Sequence, residues 1–363
     1  MTTTPLSRRL FLAGSLATLG LGALAACSNG DTAPSPGGTN GGGEAGELRL
    51  GFFSSVTHAV PLAFMGNGTG QRVLGDTTLT EQIFASGPVA VESLLAGAVD
   101  AAYLGPSPAV NAHVQTQGRA LRMISGAATN GAAFVVREGI TTVEDLRGKV
   151  FATPQLGGTQ DVQLRKYLID NGLTTDTTGG DDVTIVAQQN SQTLDLFRAG
   201  EIDGAWVAEP WVSRLIIDAG ATVYIDEKDL WPNETFPTTV LVVTQDYLEN
   251  NPETIRNLLR AHVETVGTLA ADEAAAIELV NGEIARHIGA PLPEAVMERA
   301  FGEVNLGWDP VASAMTRLGE DAVTAGIAQQ APDLTGLLDL TLLNEVLAEA
   351  GEPAVDDAGL GPA

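Results

Sequence analysis

Cysteine is almost absent: the chain has 363 residues and a single Cys, Cys27. One thiol excludes an intramolecular disulfide and any Cys-based metal cluster. Lysine is scarce as well, at three residues, Lys149, Lys166 and Lys228. Lys and Arg together number 19 against 45 Asp and Glu, a formal balance of −26. The only charges in residues 1–27 are Arg8 and Arg9; without them 17 basic side chains face 45 acidic ones, or −28. Nucleic-acid binding needs a basic stripe that neutralises phosphates, and the chain has none to offer. Broad adhesion to anionic lipid headgroups fails on the same ground. Catalytic grammar is missing too. His58, His113, His262 and His287 are scattered, with no HExxH and no pair at helical spacing. There is no GxSxG elbow, and the glycines at 37–43 lack the lysine of a P-loop. With no nucleophile, acid–base pair or metal cluster in view, no enzyme, cofactor or metal is expected.

Apolar residues, by contrast, are plentiful. A hydrophobic content of 44% supplies a large core and excludes general disorder. The length suggests two domains, or one domain of two lobes.

Residues 1–27 read as an address rather than as fold. Arg8 and Arg9 are followed by an apolar run of 17 residues, Leu10 to Ala26, at the short limit for a membrane span. Ser7-Arg8-Arg9-Leu10-Phe11-Leu12 resembles a twin-arginine export signal. Leu24-Ala25-Ala26-Cys27 resembles a bacterial lipobox, which implies that Cys27 is diacylated and becomes the mature N-terminus. Two acyl chains give stable anchoring. Residues 28–46, rich in Gly, Ser, Pro, Thr and Asn, read as a flexible tether.

From Glu47 the chain alternates strands and helices, which argues for α/β sheets. Strands are expected at 48–53, 77–84, 101–104, 123–128, 132–137, 150–153, 183–186 and 205–207. Helices are expected at 88–96, 108–117, 159–170 and 191–199. After Tyr247 only helices are expected, at 252–270 with Asn251 as cap, then 271–288, 293–301, 310–328 and 341–349. Leu95 to Leu104 aligns with Arg198 to Val207 at an offset of 103 residues. Each copy runs helix, Gly97 or Gly200 as a left-handed cap, then Asp100 or Asp203, a strand and an aromatic. The repeat suggests two similar lobes whose strand ends face a shared cleft. It nominates Tyr103 to Ser107 and Trp206 to Trp211 as opposite walls; generic caps shared by two α/β units are the plainer explanation.

Signals for binding an anion are better than signals for catalysis. Thr153 to Asp161 links a strand to a helix through Gly157 and Gly158, whose N–H groups suit an oxyanion, with Thr159 as cap. Ser86-Gly87-Pro88 and Gly105-Pro106-Ser107 repeat the theme. Ser54, Ser55 and His58 follow the first strand at its carboxyl end. Glu209, a carboxylate at a strand end, needs a partner.

Three stretches carry a wider resemblance: FASGPVAVESLLAGAVDAAYLGPSPAV at 84–110, LRGKVFATPQLGGTQDVQLRKYLIDNGL at 146–173 and GEIDGAWVAEPWVSRLI at 200–216. LWPNETFPTTVLVV at 230–243 adds to them. Over residues 47–345 the chain resembles the solute-binding proteins of nitrate/sulfonate/taurine/bicarbonate ABC importers. The resemblance implies an α/β, type II periplasmic-binding-protein fold, with two lobes joined by a two-strand hinge. Lobe 1 would be 47–130 with 238–363, and lobe 2 would be 131–237. It implies a monomer that sits outside the cytoplasm, anchored only by lipid, and delivers a small solute to a permease and its ATPase. Carried onto matching positions, the ligand-binding residues are Ser54, Ser55, His58, Ser86, Gly87, Gly105, Ser107, Gly158, Thr159, Gln160, Trp206 and Glu209, with Thr238 and Thr239 from the returning segment. No cleft lysine is visible, which favours a small organic sulfonate-like anion held by N–H groups and hydroxyls over nitrate or bicarbonate. A pyrimidine of the thiamine-precursor type, with Tyr103 and Trp206 on its ring and Glu209 on an amine, is the alternative, as is a ligand-sensing ectodomain.

Overall fold

The structure, a computed structural model, describes residues 46–362 apart from Gly179 and Ala331. The export and lipidation motifs, Cys27 included, and all of the tether but Gly46 lie outside the described residues. The first stretch of chain holds β1 (Glu47–Phe52), α1 (Ala59–Gly66), α2 (Thr69–Leu74), β2 (Thr78–Ile83), α3 (Gly87–Leu95), β3 (Ala101–Leu104), α4 (Pro106–Gln115) and β4 (Leu121–Asn130). The second holds β5 (Ala132–Val136), β6 (Val150–Thr153), α5 (Thr159–Asp170), β7 (Thr184–Ala187), α6 (Asn190–Ala199), β8 (Gly204–Ala208), α7 (Trp211–Ala219) and β9 (Thr222–Asp226). The last holds β10 (Pro237–Thr244), α8 (Gln245–Asn250), α9 (Pro252–Ala271), α10 (Glu273–Ile288), α11 (Glu294–Gly302), β11 (Val304–Leu306), α12 (Met315–Thr324) and α13 (Thr341–Ala350).

These strands form two sheets, ordered β11-β4-β10-β3-β1-β2 and β7-β6-β8-β5-β9. In the first, β2, β1 and β3 run parallel, while β10 runs antiparallel to β3 and β4. In the second, β7, β6 and β8 run parallel, and β5 runs antiparallel to β8 and β9. The chain passes between sheets twice, at Asn130–Ala132 and between Asp226 and Pro237. The first crossing turns on consecutive left-handed residues, Asn130 at φ 64° and Gly131 at φ 70°. Asparagine and glycine are the residues that take this conformation at least cost.

The internal repeat has a physical basis. Asp100 Oδ2 accepts from Arg49 N at 2.8 Å, and Asp100 N donates to Arg49 O at 2.9 Å. Asp203 Oδ2 accepts from Val150 N at 2.9 Å, and Asp203 N donates to Val150 O at 2.7 Å. Each aspartate thus fastens the entry of the strand that pairs parallel with its own. Gly97 and Gly200 are left-handed, at φ 69° and 80°, as a helix stop requires. The repeat's aromatics point inward: Tyr103 and Trp206 are fully buried. Tyr103 OH meets His262 Nδ1 at 2.8 Å, and Trp206 Nε1 donates to Glu227 Oε2 at 2.8 Å.

Three expectations for the helices and strands change. The C-terminal region is not purely helical, because β11 pairs antiparallel with β4. Asn251 occupies the N-cap position of α9 as expected, but its side chain makes no cap bond and instead turns back to donate to Tyr247 O. The helix expected over 310–328 breaks into a single turn at Ala312–Ala314 and the shorter α12.

Candidate functional site

A cavity of about 480 Å³ opens between the carboxyl ends of strands from the two sheets. Helix starts supply much of its wall. An α-helix leaves its first N–H groups without intrahelical acceptors, and its dipole places partial positive charge there. The start of α3 contributes Ser86 and Gly87. The start of α5 contributes Gly158, Thr159 and Gln160. The loop after β1 adds Ser54, Ser55, Thr57 and His58, and β10 adds Thr238 and Thr239.

The donor set differs from the sequence expectation in detail. Gly157 N is spent on Asp161 Oδ2 at 3.0 Å, and Gly158 N on Gln155 O at 3.0 Å. Asp161 is fully buried, braced by Thr153 Oγ1 at 2.9 Å and by Arg165 Nε at 2.9 Å, so the loop is rigidly wired. The amides of Thr159 and Gln160 remain without acceptors among the described residues. Gly158, not Thr159, is the cap residue of α5. Thr239 Oγ1 is buried and unpartnered, and the strand register shifts on either side of Thr239. Such bulges re-aim side chains next to sites.

His58 is buried and stacks on Phe53 with ring centroids 4.2 Å apart. Burial pushes its pKa down to about 3, so the ring is neutral. Phe53 N donates to Nδ1 at 3.3 Å, which places the proton on Nε2 as a further donor. Arg214 supplies the one Lys or Arg side chain of the lining. Its guanidinium lies 4.9 Å from the Trp211 ring centroid, and Nε donates to Asp218 Oδ2 at 3.2 Å. Its terminal nitrogens have no acceptor among the described residues. None of the 31 lining residues is Asp or Glu. With 45 acidic residues in 363, a lining of this size would carry about four by chance.

Three nominated residues do not reach the cavity. Ser107 sits in the first turn of α4, where Pro106 and Pro108 remove two N–H groups. Its remaining amide donates to Thr159 Oγ1 at 3.3 Å. Trp206 is a core residue stacked on Phe134, with centroids 5.5 Å apart. Glu209 turns away: Oε2 accepts from Ser213 N at 3.0 Å, at the start of α7, and Oε1 accepts from Arg299 Nη1 at 2.9 Å. Burial raises its pKa to about 7, against the pull of Ser213 and Arg299. With Tyr103, Trp206 and Glu209 committed inward, the groups nominated for a pyrimidine's ring and amine are not in the cavity. Ser54, Ser55, His58, Ser86, Gly87, Gly105, Gly158, Thr159, Gln160, Thr238 and Thr239 all line it.

Sequence reasoning missed Arg214, which lies one turn after Trp211 inside the 200–216 motif and is an arginine and not the lysine expected of a cleft cation. It also missed the end of α10. His287 Nδ1 lies 2.7 Å from Ser54 Oγ, across 233 residues of sequence, and no local signal announces that meeting.

The two walls touch. Ser86 Oγ bonds Gln155 Oε1, Ser55 Oγ donates to Glu209 O at 2.7 Å, and Ser107 N reaches Thr159 as described. The NMT1-like family profile spans residues 41–281, more than half of the chain.

The chain belongs to the NMT1-like family.

Within reach of this family, the chain is 28% identical to the taurine-binding periplasmic protein of Escherichia coli K12 over 184 residues, 50% of this chain and 54% of that one. It therefore spans about half the length of the curated relatives it matches. The alkanesulfonate-binding protein of Xanthomonas axonopodis pv. citri, solved with MOPS, superposes with a TM-score of 0.66 at 21% identity, over 80% of this chain and 96% of that one. The nitrate-binding protein of Synechocystis PCC 6803 gives 0.69 at 16% identity, over 88% and 92%. At such identities the shared property is the fold, that of periplasmic solute-binding proteins.

Proposed function

We propose that this protein is the extracytoplasmic solute-binding component of an ABC importer and captures a small organic sulfonate-like anion between two lobes. One observation carries the reading: among the described residues of this strongly acidic chain, no Asp or Glu lines the cavity, and helix-start amides, hydroxyls, His58 and Arg214 do. Backbone N–H groups at helix starts hold oxyanions without needing a full countercharge. In this reading lobe 1 is 47–130 with 238–363, lobe 2 is 131–237, and the crossings near Gly131 and after Asp226 are the hinge. Closure on ligand contacts from both sides is the usual device of such traps. The protein binds and releases its solute without turnover, as a monomer, and hands it to a permease and its ATPase. Cys27 carries the lipid anchor, and palmitate labelling that persists in Cys27→Ala would remove that part. Among the described residues no helix is long and apolar enough to cross a membrane.

Thermal-shift screening tests the solute class. At 100 times its dissociation constant a ligand adds about 2.7 kcal/mol to the native state. Sulfonates are expected to shift the midpoint; a shift with nitrate, bicarbonate or a pyrimidine but with no sulfonate would replace the reading.

A further inference from the structure

We infer that the solute of this cavity carries a bulky apolar tail, seated against the last turn of α10, the end of β2 and Trp211, behind an oxyanion head. The inference rests on the oxyanion reading above and extends it from the head of the solute to its body. At the roughly 30 Å³ that a water molecule takes in the liquid, 480 Å³ is far more room than nitrate or taurine fills. It falls among pockets that bury drug-sized ligands, about 300–1,000 Å³.

Many of the polar donors come from the starts of α3 and α5, the loop after β1, and β10, where Phe53 and Phe84 stand beside them. A second, largely apolar stretch is made by Ile284, Ile288 and Leu292 from α10 and the loop after it, Ile83 from β2, and Trp211 from α7, with His287 and Arg214 set among them. Ile284 and Ile288 are four residues apart and share one helix face.

Ile288 is 54% exposed and Ile83 38% exposed, although both are large and apolar and both line the same cavity. Large apolar side chains left exposed within one cavity mark a place where something binds. The turn that presents Ile288 is held on two sides. His287 meets Ser54 as described, and Arg286 makes a two-pronged pair with Glu81 of β2, at 2.6 and 3.0 Å. Ile288 therefore stands on a fixed wall, which suits a preformed subsite.

Calorimetry on the purified protein with 1-alkanesulfonates from methane to octane tests this. Burying each methylene stabilises by about 0.8 kcal/mol, so affinity is expected to rise about fourfold per methylene until the tail fills the space. The octane-to-methane ratio should exceed about 100. Ile288→Gln, at a half-exposed position where folding is checked by circular dichroism, should cut that ratio about fivefold. A flat or falling series, with methanesulfonate or taurine the tightest, would overturn the tail while leaving the oxyanion reading intact. A rising series with alkyl carboxylates or phosphonates, but no sulfonate binding, would support the tail and overturn the sulfonate head. No binding by any alkyl oxyanion would overturn both.

Discussion

Arg214 contributes a full positive charge to a lining otherwise built from dipoles, stacked on Trp211 with its terminal nitrogens unpaired among the described residues. A charge-assisted hydrogen bond contributes about 1.5–3 kcal/mol. Arg214→Ala is expected to weaken anion binding by about 10- to 100-fold in calorimetry, with the unliganded midpoint nearly unchanged. Glu227 is the opposite kind of residue. It is buried, accepts from Trp206 through one oxygen and leaves Oε1 unpartnered, and burial raises its pKa to about 8. Glu209 is raised to about 7. Both hold protons in the folded state that the unfolded chain releases above about 4.5, so stability falls as pH rises from there through the folded values. His58 and His262, pushed by burial to about 3 and about 4, act in reverse. They cost stability as pH falls below about 6.5, the ordinary histidine value. The two effects offset one another between roughly pH 4.5 and 6.5. The thermal midpoint should therefore be higher at pH 6 than at pH 8, and Glu227→Gln should narrow that difference; an unchanged difference would count against a protonated Glu227. A carboxylate at a strand end was legible as needing a partner, but Arg299 lies 90 residues further on, and nothing local in the sequence says which side Glu209 faces.

At the scale of elements, Gly105 joins β3 to α4 with φ −67° and ψ 150°, a conformation open to any residue. What demands glycine there is the opposite wall, because a Cβ would collide with the Thr159 hydroxyl of α5. Gly105→Ala is therefore expected to leave each sheet folded and to obstruct closure. Affinity should fall at least tenfold while the unliganded midpoint moves little; equal affinity would mean that the two helix starts do not need to meet. Helix starts were the most readable elements: α5 runs over Thr159–Asp170, as its sequence pattern predicts. Caps, glycines and prolines act within a few residues, so their chemistry is local. Which amides stay free was not readable, because Asp161 and Gln155 claim two of them through side-chain and loop geometry. The end of α10 escaped for the same reason, being brought to the loop after β1 by packing alone.

At the scale of the whole molecule, the strand and helix alternation made an α/β fold legible, and the repeat of Asp100 and Asp203 encoded how each sheet begins. The short β11 was not legible, since three residues carry no readable period. The exclusion of carboxylates from the cavity among the described residues was equally invisible, because it is a property of the surface enclosed and not of any segment. That exclusion has a kinetic consequence. An anion must cross a strongly acidic exterior before it meets the first favourable amide, so like-charge repulsion slows the encounter. Raising ionic strength shortens the Debye length from about 30 Å at 0.01 M to about 8 Å at 0.15 M, and the barrier lies outside the trap. Stopped-flow measurements should find the association rate constant increasing severalfold over that range, with the residence time of the bound anion changing much less. A protein of this charge would thus load fastest in salty surroundings, the reverse of a carrier that steers its cargo in.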